Sequence, residues 1–467
     1  MTRKFFILFL FVNFSNAQGE SSIWYFGENA GIKFTDNTVE VLTDSQMNTL
    51  EGCATIADVA GDLLFYTDGI TVWDKNHNVM LNGTDLLGNF SATQSAVVVP
   101  NPENTDLYYI FTVAAQATID GLRYSEVDMT LNNGNGGVTA NKNIQLSNNV
   151  VSEKISACKQ GNDVGYWVVA HEWNSNNFLS FSITNLGVNL SPVISSVGSI
   201  HEGNNDTSIG YLKISPNDKR LALAKYQSTN GVEIFDFDNS TGIVSNALVI
   251  GGIFNPITDL GSGAYGVEFS PDSNILYVSD LNFELNQSKV HQFDLTQDTQ
   301  TNVLNSDTII YEGNKIVSAL QLAIDGKIYA SNFSISFLDV IETPNILGNG
   351  ANYNIESIDL GEGVCLGGLP SFIQSFFSED NQDSIFVPQG ISPNEDGLND
   401  NLDLVNANVS SLKIYNRYGT LVYTKENYTN EWNGQSNNGS LLPVGTYFLS
   451  FIYNNDQTHS SWIYLNK

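Results

Sequence analysis

One pattern recurs along the chain: an apolar burst of four or five residues, a turn built from Asp, Asn, Gly or Pro, and a second burst rich in aromatics. Bursts this short, bounded by turn residues, predict β-strands joined in hairpins. Residues 54–58 turn through Gly61 into 63–66, and 96–100 turn through Asn104 into 107–111. The same shape returns at 155–159 with 166–169, at 212–218 with 221–223, at 267–272 with 276–279 and at 320–326 with 328–331. Asp and Asn close such turns by hydrogen-bonding their own backbone, and Pro sets φ at the start.

The spacing identifies the architecture. From Ser215 to Ser270 is 55 residues and from Ser270 to Ala323 is 53, close to the period of a four-stranded propeller blade. Second hairpins, such as 232–236 with 247–250, supply the outer strands. The expected fold is therefore all-β, a seven-bladed β-propeller over residues 18–377. The seventh blade is assembled from both ends, with 23–26, 31–34 and 39–42 as three strands and 369–376 as the fourth, which closes the ring. Six blades, with the N-terminal strands as an appendage, is the alternative.

Residues 378–384 are polar and acidic without apolar periodicity and read as a linker. Beyond it, 385–467 alternates again, through Leu412 and Ile414, Leu421 and Tyr423, Tyr447, Leu449, Phe451 and Tyr453, then Trp462 and Tyr464. About six short strands without helical period predict a small immunoglobulin-like β-sandwich.

At the other end, Arg3 and Lys4 precede eight apolar residues, 5–12, and the small-residue run Ser15-Asn16-Ala17 follows. This reads as a signal peptide, 1–17, cleaved after Ala17. Eight residues of helix extend only about 12 Å against a bilayer core of about 30 Å, so the run does not span. No later stretch reads as a transmembrane segment.

The segment Phe386-Val387-Pro388-Gln389-Gly390-Ile391-Ser392-Pro393-Asn394-Glu395-Asp396-Gly397-Leu398-Asn399-Asp400 resembles the opening of the gliding-motility-associated C-terminal domain. The resemblance continues through Ile414-Tyr415-Asn416-Arg417-Tyr418-Gly419, Trp432-Asn433-Gly434 and Pro443-Val444-Gly445-Thr446-Tyr447-Phe448. Tyr418 stands where that family often has Trp, and Asn433 where it often has Asp. The resemblance implies a type B sorting domain at 385–467, read by the type IX secretion system of Bacteroidota during passage through the outer membrane. It implies an extracellular or outer-surface destination, with the secretion machinery as a partner. An ordinary immunoglobulin-like binding module is the other reading of these strands. Glu51-Gly52, Tyr66-Thr67-Asp68-Gly69 and 95–100 also look like propeller cargo attached to such domains.

Composition narrows the partners. The net charge is −31, and loss of Arg3 and Lys4 makes it −33. No basic stripe is available for phosphates, so nucleic acid is excluded as a partner. Three cysteines exclude a disulfide framework. Buried free thiols are expected, with a Cys53–Cys365 pair as the alternative if the ring brings them together.

Candidate chemistry lies where propellers keep it, around one mouth of the central channel. Projected onto that face, the repeats place Glu51, Gln94, Glu153 and Tyr265 ahead of or within first strands, and Asp68, His171, Glu172, Lys225 and Asp280 after second strands. These are candidate ligand-binding residues. Asn394, Asp396, Asn399 and Asp400 gather oxygen atoms around Gly397, either a calcium loop or an Asx-rich turn. No catalytic residue is assigned, because no nucleophile elbow, phosphate loop or paired-cysteine site is present. Two functions stay open: a binding or adhesion scaffold for extracellular glycans or proteins, with Trp73 and Trp173 as stacking surfaces or core, and a propeller lactonase or polysaccharide lyase or hydrolase.

Overall fold

Each recurrent turn is closed by a side chain acting on the backbone. In the computed structural model, Ser215 Oγ accepts from the Arg220 N–H at 2.9 Å and donates to Asn217 at 2.8 Å. Ser270 Oγ does the same with Ile275 at 2.9 Å and Asp272 at 2.6 Å. Asp218 and Ser273 occupy the left-handed position of these turns, and Gly326 takes it in the third copy, where no serine hydroxyl is present. The structure describes residues 19–35, 38–161, 164–254, 261–378, 387–388, 390–394, 399–404, 409–453 and 457–466. The stretch 1–17, expected to be a signal peptide, lies outside the described residues, as does most of 378–384, the expected linker.

The chain divides into two compact units, Met1–Glu379 and Asp380–Lys467. In the first, antiparallel sheets follow one another in chain order. Blade 1 is Ile23–Phe26, Ala30–Phe34 and Val39–Leu42, and blade 2 is Ala54–Ala57, Leu63–Thr67 and Val72–Asp74. Blade 3 has Ala96–Pro100, Leu107–Val113 and Leu122–Asp128 with two short outer strands, Gly137–Val138 and Ile144–Gln145. Blade 4 has Val151–Lys159, Tyr166–Glu172 and Ser175–Thr184, with Gly187–Val188 and Val193–His201 outside. Blades 5, 6 and 7 each have four strands: Leu212–Ile214, Arg220–Ala224, Val232–Asp238 and Ile243–Ile250; Ser262–Phe269, Ile275–Asn282, Gln287–Asp294 and Thr308–Gly313; Val317–Leu322, Ile328–Asn332, Phe337–Ile341 and Tyr353–Asp359. The unit is a β-propeller of seven blades.

Burial follows radius. Every residue of Ser262–Phe269 and Val317–Leu322 is buried, whereas Thr308–Gly313 at the rim has none. Inner strands are packed on both faces by neighbouring blades, so burial is continuous along them and takes in polar residues such as Glu268 and Gln321.

Ring closure differs from the expectation that 369–376 would be a fourth strand of blade 1. No ladder joins this segment to blade 1. Pro370 instead bridges Cys53 in parallel, Ile373 bridges Ala157, and the Ser375 hydroxyl donates to Asp218 at 2.8 Å. One segment, which ends in a 3-10 turn at Gln374–Phe377, touches blades 2, 4 and 5 and runs along the axis, and residues 369–378 are all buried there. Phe372 and Trp24 pack at 5.8 Å between ring centroids. Apolar side chains gained more burial in the centre than along the flank of a three-stranded blade. Cys53, Cys158 and Cys365 are buried free thiols.

In the second unit the described strands form one sheet, in the order Gly390–Ile391, Gln457–Leu465, Gly445–Tyr453, Val409–Tyr415, Leu421–Glu426. Its inner face carries Leu412, Ile414, Tyr447, Leu449, Phe451 and Ile463, and Leu402, Leu404, Tyr428 and Trp432 cover them. The arrangement is sandwich-like.

Candidate functional site

Two adjacent glycines bring the axial segment against the mouth of the channel. A Cβ on Gly368 would lie 1.9 Å from the Glu51 carbonyl oxygen, so only glycine fits. Gly367 N–H donates to Leu50 O at 2.6 Å, and the Leu366 carbonyl accepts from Ser331 Oγ at 2.5 Å and Ser318 Oγ at 3.3 Å. Above this floor is a cavity of about 230 Å³, lined by Glu51, Ser91, Tyr226, Tyr265, Phe283 and Phe333 among others. These residues come from blades 2, 3, 5, 6 and 7 or the loops leading to and from their inner strands. A lining drawn from so many blades places the cavity on the axis.

Glu51 is the acid of this cavity. Its Oε1 accepts from the Tyr265 hydroxyl at 2.7 Å and its Oε2 from Ser91 Oγ at 3.2 Å. Burial, and then the charge of Glu153, push its carboxyl up to about 8, and the two hydroxyl donors offset only part of that rise. The carboxyl is therefore mostly neutral at pH 7.

Glu153 is fully buried. Thr93 N–H and Oγ each donate to it at 2.8 Å, and Gln116 N–H donates at 2.5 Å. Gln116 and Ala117 both hold φ near +50°, a strained arrangement that brings the Gln116 N–H to the carboxylate. The neighbouring Lys154 donates to the carbonyls of Ser208 and Ile209 at 2.6 and 2.8 Å. Burial lowers its ammonium to about 7, with Glu153 opposing.

Gln94 and Asp68 serve the scaffold. Gln94 exchanges both hydrogen bonds with the backbone of Leu212, at 2.7 and 3.0 Å, and so staples blade 3 to blade 5. Asp68 closes an Asx turn, accepting from Ile70 and Thr71 N–H at 2.8 and 2.7 Å. Neither carboxamide nor carboxylate lines the cavity.

His171 and Lys225 belong to a second group between blades 4 and 5. His171 stacks on His201, with ring centroids 3.8 Å apart. His171 Nδ1 and both nitrogens of His201 are buried without hydrogen bonds, and His201 Nε2 lies 3.9 Å from Glu233 Oε2. Lys225 Nζ contacts Glu233 at 2.9 Å and Ser199 at 2.5 Å. Burial first, then the cationic and imidazole neighbours, holds both histidines well below the ordinary range. Glu172 is held by Asn149 and Asn177 at 2.5 and 2.7 Å. Asp280 faces His291 at 3.9 Å, while Asp307 contacts the other ring nitrogen at 2.8 Å. Burial of that ring opposes protonation, but the two carboxylates outweigh it and push His291 up to about 9.

The nine candidates thus fall into separate places, and Glu51 with Tyr265 are the two that share the cavity. Sequence reading missed Tyr226, Phe283 and Phe333, whose loops leave second strands as Asp68 and Lys225 do. It also missed His201 and Glu233; a carboxylate between the apolar residues Val232 and Ile234 was the available signal. Trp173 is buried, and Trp73 stacks on Tyr66 at 5.4 Å. In the C-terminal loop, Asp400 Oδ1 accepts from Asn394 N–H at 2.9 Å across six residues, and Asp396 lies outside the described residues. Among the described residues no group of three or more His, Cys, Asp or Glu is arranged to hold a metal ion.

Fold and site together define an all-β chain: a seven-bladed propeller with an axial cavity, followed by a small sandwich-like domain. Residues 385–465 match the CHU_C Type IX secretion signal domain, so the chain carries the signal that marks it for export by type IX secretion to the cell surface or extracellular space. Among solved structures, the chain is similar to a quinoprotein alcohol dehydrogenase-like protein from Bacteroides thetaiotaomicron, with 12% identity, TM-score 0.42, and coverage of 74% of this chain and 77% of that one. It is similar also to the Dos1 propeller, with 12% identity, TM-score 0.42, and coverage of 75% and 86%. A third is the β-propeller domain of Cps50 (Swd1) from Myceliophthora thermophila, with 13% identity, TM-score 0.31, and coverage of 79% and 95%. No curated protein matches the chain. No helix among the described residues is long and apolar enough to cross a membrane.

Proposed function

We propose that the exported propeller is a binding scaffold, and that its axial cavity takes one projecting group of an extracellular glycan or protein. The observation that carries this is the cavity itself: about 230 Å³, with aromatic walls around the Glu51 carboxyl. Sites for drug-sized molecules run to about 300–1,000 Å³, so this one suits a single sugar ring or side chain of a larger partner. Aromatic faces stack on the apolar side of such a group, and a neutral carboxyl both donates and accepts. The test is a glycan and peptide array probed with the mature chain, then titration of each hit with Phe283→Ala/Phe333→Ala. A loss of about tenfold or more supports the axial site. Unchanged affinity would move recognition to the outer rim.

The same carboxyl favours a second reading. A neutral acid in a cleft is equipped for proton donation, as a propeller lactonase or polysaccharide lyase or hydrolase requires. Turnover of a lactone or polysaccharide that Glu51→Gln abolishes would replace the binding reading.

A further inference from the structure

The outward face of the C-terminal sheet carries a continuous apolar row. Leu421 lies opposite Tyr415, Tyr415 opposite Phe448, and Phe448 opposite Trp462, so the row crosses four strands. Tyr464 extends it from the next outward position of the last strand, opposite Thr446. A bulge after Ile414 turns Leu421 onto this face. Leu421, Phe448, Trp462 and Tyr464 are each 43–49% exposed. Directly opposed side chains on one face lie about 5 Å apart, so these form one band and not scattered residues. The domain does not need them for its core, which the inward residues already build.

Two cations border the band. Lys413 is the next outward residue of the strand that carries Tyr415, and Arg417 lies 5.0 Å over the Tyr418 ring, which is 77% exposed. Neither makes an ion pair among the described residues, whereas Lys425 of the same sheet is paired with Glu431 at 2.7 Å. Unpaired cations beside exposed aromatics stand out in a chain of net charge −31. Aromatic residues and Arg are the types enriched where proteins dock, and contiguous apolar surface marks such places.

We infer that this row is the surface by which the secretion signal domain docks on a protein of the export apparatus, one presenting an apolar groove flanked by carboxylates. The inference rests on the assignment of 385–465 as a secretion signal. The basic border calls for an acidic partner surface, and mutual repulsion of two strongly acidic chains opposes a second copy as occupant.

The experiment uses the full chain in a host that exports it, with the exported fraction quantified against the cell-retained fraction. Phe448→Thr/Trp462→Thr removes the centre of the row while keeping strand-favouring residues. Lys413→Glu/Arg417→Glu inverts the border, and Leu441→Thr, exposed and off the row, is the control. The first two are expected to lower export about tenfold with thermal unfolding unchanged, and the control to leave it normal. If the first pair misfolds, the charge reversals at exposed positions carry the test alone. Deletion of 385–465 separates the two levels of the argument. Blocked export of the deletion with normal export of both row variants overturns the docking face and leaves the signal intact. Normal export of the deletion overturns the signal assignment itself. Flotation of the wild-type chain with anionic phospholipid vesicles, lost in the aromatic variant, would make the row a lipid-binding surface and overturn the protein partner.

Discussion

The Tyr265 hydroxyl donates to Glu51 Oε1 at 2.7 Å, tying blade 6 to the loop before blade 2 across 214 residues of sequence. Burial makes Glu51 keep its own carboxyl proton well above the usual acid range, with a midpoint of about 8. An acid whose folded value is raised adds stability fully below its ordinary value of 4.5 and loses that contribution as pH rises toward 8. Glu51→Gln resembles the neutral carboxyl at every pH. Its melting temperature should therefore gain on wild type between pH 5 and pH 9, by about 3 °C or more. Scanning calorimetry at three pH values checks this; a difference that stays constant with pH would mean that Glu51 titrates normally.

Gly368 sets a second test at the same place. Its Cβ position lies 1.9 Å from the Glu51 carbonyl, backbone against backbone, so neither side can rotate away. Gly368→Ala should destabilise the propeller by about 3 kcal/mol, the upper range for overpacking. Denaturant unfolding measures the loss. A cost below about 0.5 kcal/mol, as for an ordinary surface change, would show that the axial segment shifts freely.

The propeller was legible because its blades repeat a local device. Ser215 with Asn217 and Ser270 with Asp272 build the same turn from neighbouring residues, and that chemistry shows in sequence. Closure was not legible in the same way. Residues 369–376 read as an apolar strand, but which surface buries such a strand is decided by residues 157 to 216 positions away, such as Asp218 and Lys159. The pair Gly367-Gly368 was the local trace of that close approach. At the cavity, Glu51 and Tyr265 were found from their places in the repeat. Gln94 and Asp68 have equivalent places but are used by backbone groups, a distinction that needs the hydrogen bonds.

Axial packing also predicts where the propeller can be cut. A fragment of residues 18–378 keeps the buried segment and should melt cooperatively by itself, because the compact unit ends at Glu379. A fragment ending at residue 366 loses Phe372, Ile373 and Phe376 from the centre and should be molten or insoluble. Near-ultraviolet circular dichroism distinguishes them. Two equally cooperative fragments would mean that the segment is dispensable packing.

Acid should act on the blade 4 and blade 5 seam through the stacked pair His171 and His201. Both rings are buried and neutral, and both are held well below the ordinary value of 6.5. The groups facing them are Lys154, Lys225 and Glu233, with Phe178 edge-on to His171. The Glu233 charge and a backbone hydrogen bond at Glu172 favour protonation of His171, but Glu233 is already engaged by Lys225 at 2.9 Å. A histidine whose folded value is depressed supports folding above its unfolded value, and that support is lost as pH falls, because the unfolded chain then binds protons that the folded one refuses. Wild type should therefore lose melting temperature progressively below pH 6.5. In His171→Phe/His201→Phe the stack persists without the proton-binding nitrogens, three of which make no hydrogen bond. The double variant should lose less stability between pH 7 and pH 5 than wild type, by at least about 1 kcal/mol. Equal losses in the two proteins would assign the acid sensitivity to groups other than this pair.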